Sequence, residues 1–348
     1  MSKIKEDFTM KKMILTVLCA ILISTIAVSA MAEPYYLNSG ILSLLNMTVE
    51  EYMDYTTAYA TIASLLGERG YLTYNNDEFY DGYDFVVTIT YYETMNDMIM
   101  GMGSGVINRL ATCQTTGQYI ASQNDKLELL YEYDVNRERT PFIDHLFFLA
   151  GYDYSFLLRD DSVGLRDELN AALADMKMDG TLDQLKKEHI TDVIATGEIQ
   201  AIELPEISGA ETITVAVTGA LPPMDYVAPD GTPAGFTIAV LSEISQRINR
   251  NINLVVVDSI GRSTALASGQ ADVVFWAISP STRDTSSEEY QANLEAAKSQ
   301  MTEEEAAIID ELEKIANTDI ANRMDTPEGT ILTDSYFTDY LINLYAKP

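Results

Sequence analysis

The sequence predicts an α/β fold with two lobes, and three observations lead to this class. The chain has 348 residues, which exceeds one average domain, so we expect two packed units with a hydrophobic core each. Helix-like and strand-like segments alternate along it, as they do where helices cover a parallel sheet. Residues 191–210 carry Gly, Pro and Ser with little periodicity, and we place the boundary between the lobes there.

In the first half of the chain, helical spacing of apolar residues and runs of β-branched or aromatic residues define the elements. The predicted helices cover residues 48–68, 94–102, 162–178 and 182–189, and the predicted strands cover residues 83–92 and 156–159. The helix at 94–102 is expected to stop at the glycines that follow it, Gly103 and Gly105.

The second half reads as a βαβ unit that a further helix and strand extend into a parallel sheet. The predicted strands cover residues 212–217, 252–257 and 272–276, and the predicted helices cover residues 236–248 and 263–268. Residues 285–318 form a charged helical stretch in which Thr302 and Glu305 have the spacing of a capping box. We interpret this stretch as an inserted surface hairpin.

Charge and residue usage exclude several classes of function. The net charge of −31 repels nucleic acid and suits solubility outside the cell. His145 and His189 are the only histidines and have no spacing to a nucleophile or a metal partner, so catalysis has little support and no metal or other cofactor is expected. Cys113 is the only cysteine outside the apolar N-terminal run, which excludes an intrachain disulfide and a cysteine-based zinc site.

The N-terminus has the layout of a signal peptide. Lys11 and Lys12 precede an apolar run over residues 13–30, and Ala30 and Ala32 supply the small residues of a cleavage site. We therefore expect residues 1–32 to be removed and the protein to be secreted, extracellular or periplasmic. A retained membrane anchor is the alternative, because the run is just long enough to span a bilayer.

Three segments of the second half resemble one known family. They are ITVAVTGALPPMDYVAPDGTPAGF at Ile213 to Phe236, ALASGQADVVFW at Ala265 to Trp276, and TDSYFTDYL at Thr333 to Leu341. They resemble the first lobe of bacterial extracellular solute-binding protein family 3, the amino-acid-binding receptors of ABC transporters. Glu93 to Gly105 and Leu165 to Leu185 resemble the second lobe of that family and its closing helices.

The resemblance implies a type II periplasmic-binding-protein-like fold with a cleft between its lobes. The order is reversed, because residues 33–200 resemble the second lobe with the closing helices and residues 201–348 resemble the first lobe, with the helical insertion at 285–318. A circular permutation explains this order, since permutation is tolerated where termini are close together at a surface. Two degenerate lobes from a tandem pair are the alternative.

The resemblance also implies ligand contacts in the loops after strands. Tyr226 is where the family has an aromatic platform for the ligand, and Arg283 resembles its carboxylate-binding arginine, with Ser279 in the loop between Trp276 and Arg283. Trp276 is the only tryptophan, and cleft stacking and core packing are both open for it. Tyr226 as a loop aromatic and Arg283 as a surface residue are the alternatives.

The second lobe departs from the family pattern. The family usually has a carboxylate there that holds a ligand ammonium group, and this chain has Cys113, Gln114 and Thr115 instead. Gln114 and Thr115 are candidates for hydrogen bonds to a neutral or anionic ligand group, with roles in a turn as the alternative. An α-amino acid would lose its ammonium partner, so the chemistry of the ligand stays open.

The expected function is that of the substrate-binding component of an ABC transporter. Such a protein captures a small polar solute, an amino acid or a related compound, by lobe closure and delivers it to a membrane permease, as a monomer and without chemistry. A ligand-sensing or interaction module that kept the fold but lost amino-acid binding is the alternative. An enzyme is a third candidate, because some relatives of the fold are dehydratases.

Overall fold

The computed structural model describes residues 35–42, 61–75, 85–228, 231–258, 261–278, 288–316 and 328–347. The predicted signal peptide, Ser279, Arg283 and much of the first predicted helix lie outside these ranges. Within them, no helix combines the length and the apolar character that a membrane crossing needs.

The first half of the chain, up to residue 196, supplies seven of the described strands. They are β1 (Tyr35–Leu42), β2 (Leu72–Tyr74), β3 (Phe85–Tyr92), β4 (Arg109–Cys113), β5 (Leu127–Leu129), β6 (Tyr131–Tyr133) and β7 (Gly151–Arg159). Its helices are α1 (residues 61–68), α2 (Met95–Gly103), α3 (Gln114–Gln123), α4 (Pro141–Ala150), α5 (Val163–Met178), α6 (Thr181–Lys186) and α7 (Asp192–Thr196). A π-helical turn, Lys187–Thr191, joins α6 to α7.

The second half supplies the remaining described elements. Its strands are β8 (Thr212–Val217), β9 (Ala220–Leu221), β10 (Asp225–Val227), β11 (Pro233–Ala234), β12 (Asn251–Val256), β13 (Val273–Ile278), β14 (Thr330–Leu332) and β15 (Phe337–Ala346). Its helices are α8 (Phe236–Ile248), α9 (Gly261–Ala267), α10 (Glu288–Lys298) and α11 (Glu303–Ala316).

The main sheet is continuous and mixed, with the order β12-β8-β13-β7-β15-β4-β1-β3. Strands β12, β8 and β13 are parallel to one another, as are β4, β1 and β3. Between the two parallel groups lie β7 and β15, which pair antiparallel with each other and with their outer neighbours. The predicted α/β class and the predicted parallel pairing in the second half are confirmed.

Two hydrophobic cores lie on either side of this central pair. Core one is built around the helices α1 to α4, and its fully buried members include Leu66, Met98, Leu110 and Leu146. Core two is built around α5 and α8 with the strands β8 and β13. Neither core is continuous in sequence, because α5 precedes β8 by a long stretch and β15 returns to core one. The predicted division of the chain at residue 200 stays a prediction.

Strands β7 and β15 each run from one core to the other. Tyr152 of β7 is in core one, whereas Tyr154 and Phe156 are in core two. In β15, Phe337 packs against core two, and Ile342 is buried in core one. The chain therefore passes between the cores twice, through two antiparallel strands, and we call these the crossing strands.

The helical insertion differs from the surface hairpin that we predicted. Its two helices, α10 and α11, follow β13 and precede β14, both of which pair with β7 on the side of core two. Its inner face is nevertheless buried in core one, through Leu294, Ile309 and Leu312. The capping box is present, with Glu305 N–H donating to Thr302 Oγ1 and Thr302 N–H donating to Glu305 Oε2.

Most predicted elements agree with the structure to within two residues. The largest differences concern the strand predicted at residues 156–159, which begins at Gly151, and the helix predicted at 182–189, which ends at Lys186 and continues as the π-helical turn. The helices α3 and α4 and the strands β1, β4 and β15 are among the elements absent from the prediction. The helix α4 is a nearly continuous apolar run, for which periodicity is a poor guide.

Candidate ligand-binding cleft

The register of the crossing strands locates a candidate cleft. Ile278, the last residue of β13, pairs with Asp153 of β7, and Asp153 pairs on its other side with Thr338 of β15. Cys113, the last residue of β4, pairs with Leu341 of β15. The carboxyl ends of parallel strands from both cores therefore meet over a few residues of one crossing strand. Carboxyl ends of strands are where α/β proteins bind their ligands.

A line of polar side chains crosses this region from one core to the other. We call it the polar strip, and its members are Cys113, Tyr154, Asp225, Arg262 and Asp339. The Tyr154 side chain is fully buried, and its hydroxyl group is hydrogen-bonded to the Cys113 thiol. The charges of Asp339 and Asp225 act on opposite ends of the strip.

On the side of core two, Asp225 is the central polar group. Its carboxylate accepts hydrogen bonds from Thr218 N–H at 2.8 Å and from Thr218 Oγ1 at 2.6 Å. Burial raises the pKa of Asp225, while the Thr218 hydrogen bonds and then the charge of Arg262 oppose that rise. Burial in turn lowers the pKa of Arg262 to about 10. The two groups stabilise each other's charge in an apolar environment.

On the side of core one, Asp339 lies at the N-terminus of α3. Both of its carboxylate oxygens accept from Thr115 N–H, at 3.3 and 3.1 Å, and one accepts from Tyr340 N–H at 2.8 Å. Burial raises the pKa of Asp339 to about 6, against the lowering effect of these hydrogen bonds. The carboxylate thus binds a helix terminus as an anionic ligand would.

Two predicted ligand contacts, Gln114 and Thr115, lie in this region and are used internally. Gln114 is buried, and its Nε2 donates to the Tyr133 carbonyl at 3.2 Å while Tyr133 N–H donates to Gln114 Oε1 at 2.6 Å. Thr115 N–H is bound to Asp339. Their predicted role as ligand contacts stays a prediction, and in this conformation both hold the protein's own groups.

Tyr226, the predicted aromatic platform, lies between the two cores. Its side chain is buried, and its ring centroid is 6.5 Å from that of Tyr119 of α3, with an interplanar angle of 36°. Burial and then the neighbouring Tyr119 raise the pKa of Tyr226. Since β10 belongs to core two and α3 to core one, this pair of rings joins the two sides of the cleft.

The other three predicted contacts are Trp276, Ser279 and Arg283. Trp276 lies in β13, where its backbone pairs with Ser155, and its side chain is outside the described residues. Ser279 and Arg283 lie outside them entirely. Their predicted roles as ligand contacts stay predictions.

The sequence reasoning missed the acids of the crossing strands. The family pattern has a carboxylate after β4, and here Asp339 of β15 accepts from Thr115 N–H, just after β4, while Asp153 of β7 lies opposite Thr338 of β15. Asp153 accepts from Thr338 Oγ1 at 2.6 Å. The available signal was the position of Asp339 inside an apolar run, since a charged residue in a buried strand needs a partner.

The histidines lie away from the polar strip. His145 Nε2 lies 2.6 Å from Glu313 Oε1, where α4 contacts α11. His189 lies in the π-helical turn, and burial lowers its pKa. In the described parts of the chain, no three residues among His, Cys, Asp and Glu are grouped as a metal site would require.

A surface cavity of 490 Å³ lies on core two between α5 and the end of α8. Its charged lining is paired internally, because Arg250 binds Glu168 at 2.8 Å and Glu211 at 2.6 Å. The lining contains no member of the polar strip. We therefore regard this cavity as a surface groove bridged by ion pairs and separate from the candidate cleft.

Comparison with solved structures finds distant similarities. The chain is similar to NikA from Staphylococcus aureus in complex with Ni(L-His)2, at 15% identity and a TM-score of 0.34, over 75% of this chain and 57% of that one. It is similar to the PBP AgaA from A. tumefaciens R10 in complex with agropinic acid, at 12% identity and a TM-score of 0.35, over 75% and 55%. A third similar protein is the periplasmic aliphatic sulphonate binding protein SsuA from Escherichia coli. The identity is 10% and the TM-score is 0.34, over 90% of this chain and 66% of that one.

The chain spans little more than half the length of the first two of these proteins. No curated protein sequence matches it. Residues 213–317 match the profile of the bacterial extracellular solute-binding proteins, family 3. This range runs from β8 through the helical hairpin and covers less than half of the chain, so the sequence match connects core two with solute-binding proteins.

Proposed function

We propose that the protein is an extracellular solute-binding protein that captures a small polar solute between its two cores and performs no chemistry on it. One observation carries the proposal, the meeting of strand carboxyl ends from both cores at the crossing strands. The match of residues 213–317 to a solute-binding family supports it independently. In this proposal the membrane permease of an ABC transporter receives the solute, and the protein acts as a monomer.

The crossing strands are the natural hinge for such a function. Rotation about β7 and β15 would separate Tyr226 from Tyr119 and open the polar strip to solvent, and closure around a solute would bury it. The ring centroids are 6.5 Å apart and the ring planes are tilted by 36°, whereas a flat group held between two parallel rings at van der Waals contact needs them about 7 Å apart. A small opening movement would therefore admit a planar group.

We also propose that the lobes are circularly permuted relative to the family. Ser39 of β1 and Tyr345 of β15 both pair with Arg109 of β4, on its two sides. Ser39 and Tyr345 are therefore two strand spacings apart, about 10 Å, and β1 starts at Tyr35, four residues or about 13 Å before Ser39. A short linker could join the end of β15 to the start of β1, as a permutation requires.

A re-permuted chain tests this point. The linker would join Ala346 to Tyr35, and new termini would open at Gly209, which lies on the surface between α7 and β8. We expect a folded protein whose melting temperature is within about 5 °C of the parent. A chain that does not fold, while a nick at Gly209 alone is tolerated, would favour the tandem origin.

A second candidate, a sensing or interaction module without a solute, is favoured by one observation. Gln114, Thr115 and the Tyr226 ring are all in contact with the protein's own groups. A receptor of this kind would have to release some of these contacts on binding, whereas a module would keep them.

Thermal unfolding against a library of amino acids, amines, peptides and sulfonates separates the candidates. A solute that binds the folded state raises the melting temperature by mass action, with a gain that increases with concentration. A scaffold shows no gain with any member. An enzyme would return altered solute, so chromatography of the recovered ligand after long incubation distinguishes binding from turnover.

A further inference from the structure

We infer that Asp339 sets the charge class of the ligand: its carboxylate fills the anion-binding end of α3, so the solute turns a cationic or neutral hydrogen-bond-donating group toward core one. The inference rests on the proposed function and names a property of the same cleft. We call the surface formed by the polar strip and the N-terminus of α3 the cleft floor.

The first step is occupancy. The N-terminus of a helix of this length offers unpaired N–H groups and a positive dipole end, which together bind anions. Here Thr115 N–H already donates to both oxygens of Asp339, and Gln114 N–H acts on the same carboxylate. A ligand carboxylate, sulfonate or phosphate would have to displace a side chain that is covalently part of β15.

The second step is charge. The groups that donate to Asp339 are the neutral Gln114, Thr115 and Tyr340, and in the described parts of the chain no lysine or arginine pairs with it. Its negative charge is therefore balanced only by dipoles. Its field extends along the polar strip, where it contributes to the raised pKa values of Cys113 and Tyr154. An incoming anion is repelled there and a cation is attracted.

The third step is exposure. Asp339 itself is buried, and Cys113, the residue before α3 whose thiol the field of Asp339 reaches, is half-buried. In the proposed function, the half-buried Cys113 marks the edge at which a solute comes within the field of Asp339 when the cores separate. Asp339 acts on the ligand by its field and by its occupancy of α3, which makes it a specificity-determining residue.

Cys113 supplies a reporter for this floor. In the full chain with Cys19 replaced by Ser, Cys113 is the only thiol. We would measure its rates of modification by two methanethiosulfonates of similar size, the cationic 2-aminoethyl and the anionic 2-sulfonatoethyl reagents. For each protein we divide the rate with the cationic reagent by the rate with the anionic reagent. We then divide this ratio by the same ratio measured in urea, so that differences in the intrinsic reactivity of the two reagents cancel.

In the native protein we expect this normalised ratio to exceed 1 by about tenfold or more, and Asp339→Asn should bring it within about threefold of 1. Asp339→Ser, which keeps an accepting oxygen without the charge, should behave in the same way and serves if the asparagine variant does not fold. Asp334→Asn removes the same charge from an exposed position of the preceding loop and should leave the ratio unchanged.

Three results would overturn the inference. They are a native ratio near 1, a ratio that Asp339→Asn leaves unchanged, and a native Cys113 that neither reagent modifies, since a closed floor cannot select a ligand. The library experiment is independent of these readings. Suppose that no solute in the library stabilises the protein but Cys113 still prefers the cationic reagent. The proposed function would then be refuted, while the charge selection by the cleft floor would stand.

Discussion

The two sides of the cleft floor each bury one carboxylate and stabilise it by different means. Asp225, beside core two, has Thr218 as a donor and the charge of Arg262 close by. Asp339, beside core one, has only neutral donors and a helix N-terminus. Burial raises the pKa of both acids, so the comparison separates what a countercharge contributes from what oriented dipoles contribute.

Removal of the countercharge should have the largest effect. Arg262→Met leaves Asp225 buried without a cation and frees the Phe275 carbonyl, which Arg262 Nη1 holds at 3.0 Å. We expect the free energy of unfolding at pH 7 to fall by about 3 to 5 kcal/mol, measured by urea denaturation. Adding Asp225→Asn should restore part of the loss, because it removes the stranded charge. A loss below about 1 kcal/mol would mean that Asp225 does not depend on Arg262.

The dipole-stabilised acid should instead appear in the pH dependence of stability. The folded pKa of Asp339, about 6, is above its ordinary value of 3.8, so the folded state binds more protons between these values. Its contribution to stability is therefore fully present below pH 4 and is lost as the pH rises through 6. Relative to Asp339→Asn, the wild-type protein should gain about 2.4 kcal/mol as the pH falls from 7 to 4.

This difference is measured by urea denaturation of the two proteins at matched pH values, which cancels the common effect of the net negative charge. Asp334→Asn is again the control, and its difference from wild type should vary little over the same range. A pH-independent difference for Asp339→Asn would mean that dipoles stabilise this carboxylate as well as water does.

A third buried carboxylate sharpens the comparison and should give the smallest effect. Glu313 of α11 accepts from the Tyr290 hydroxyl at 2.5 Å and lies 2.6 Å from His145 Nε2. Glu313→Gln keeps the shape and an accepting oxygen, so we expect a loss of about 1 to 2 kcal/mol in the free energy of unfolding. Glu311→Gln, two residues away in α11 and exposed, is the matched control. Equal losses in both variants would contradict a specific role for the buried group.

The sequence alone predicts those helices and strands that depend on patterns of neighbouring residues. The strands and helices between residues 212 and 276 follow from alternating and helical patterns, because each is decided by neighbours a few positions away. The crossing strands are different. Tyr152 pairs with Asp339, and Thr115 binds Asp339, across most of the length of the chain. No local pattern encodes such a pairing.

The same reason limits the prediction of the site. Gln114 and Thr115 are polar residues after a strand, which is where a ligand contact is expected. Whether such residues meet a ligand, the Tyr133 backbone or a carboxylate depends on the strand beside them. The fold class was therefore predictable, while the polar strip required the tertiary structure.

The helical hairpin adds a third link between the cores. It leaves and re-enters the sheet beside core two, and its buried leucine and isoleucine side chains are in core one. In a hinge of two strands alone, the angle of opening is limited only by collision of the outer surfaces. In the opening that we propose, the inner face of the hairpin would have to stay with core one while β13 and β14 move with core two, so the hairpin would couple the two halves of the molecule as a third connection beside the crossing strands.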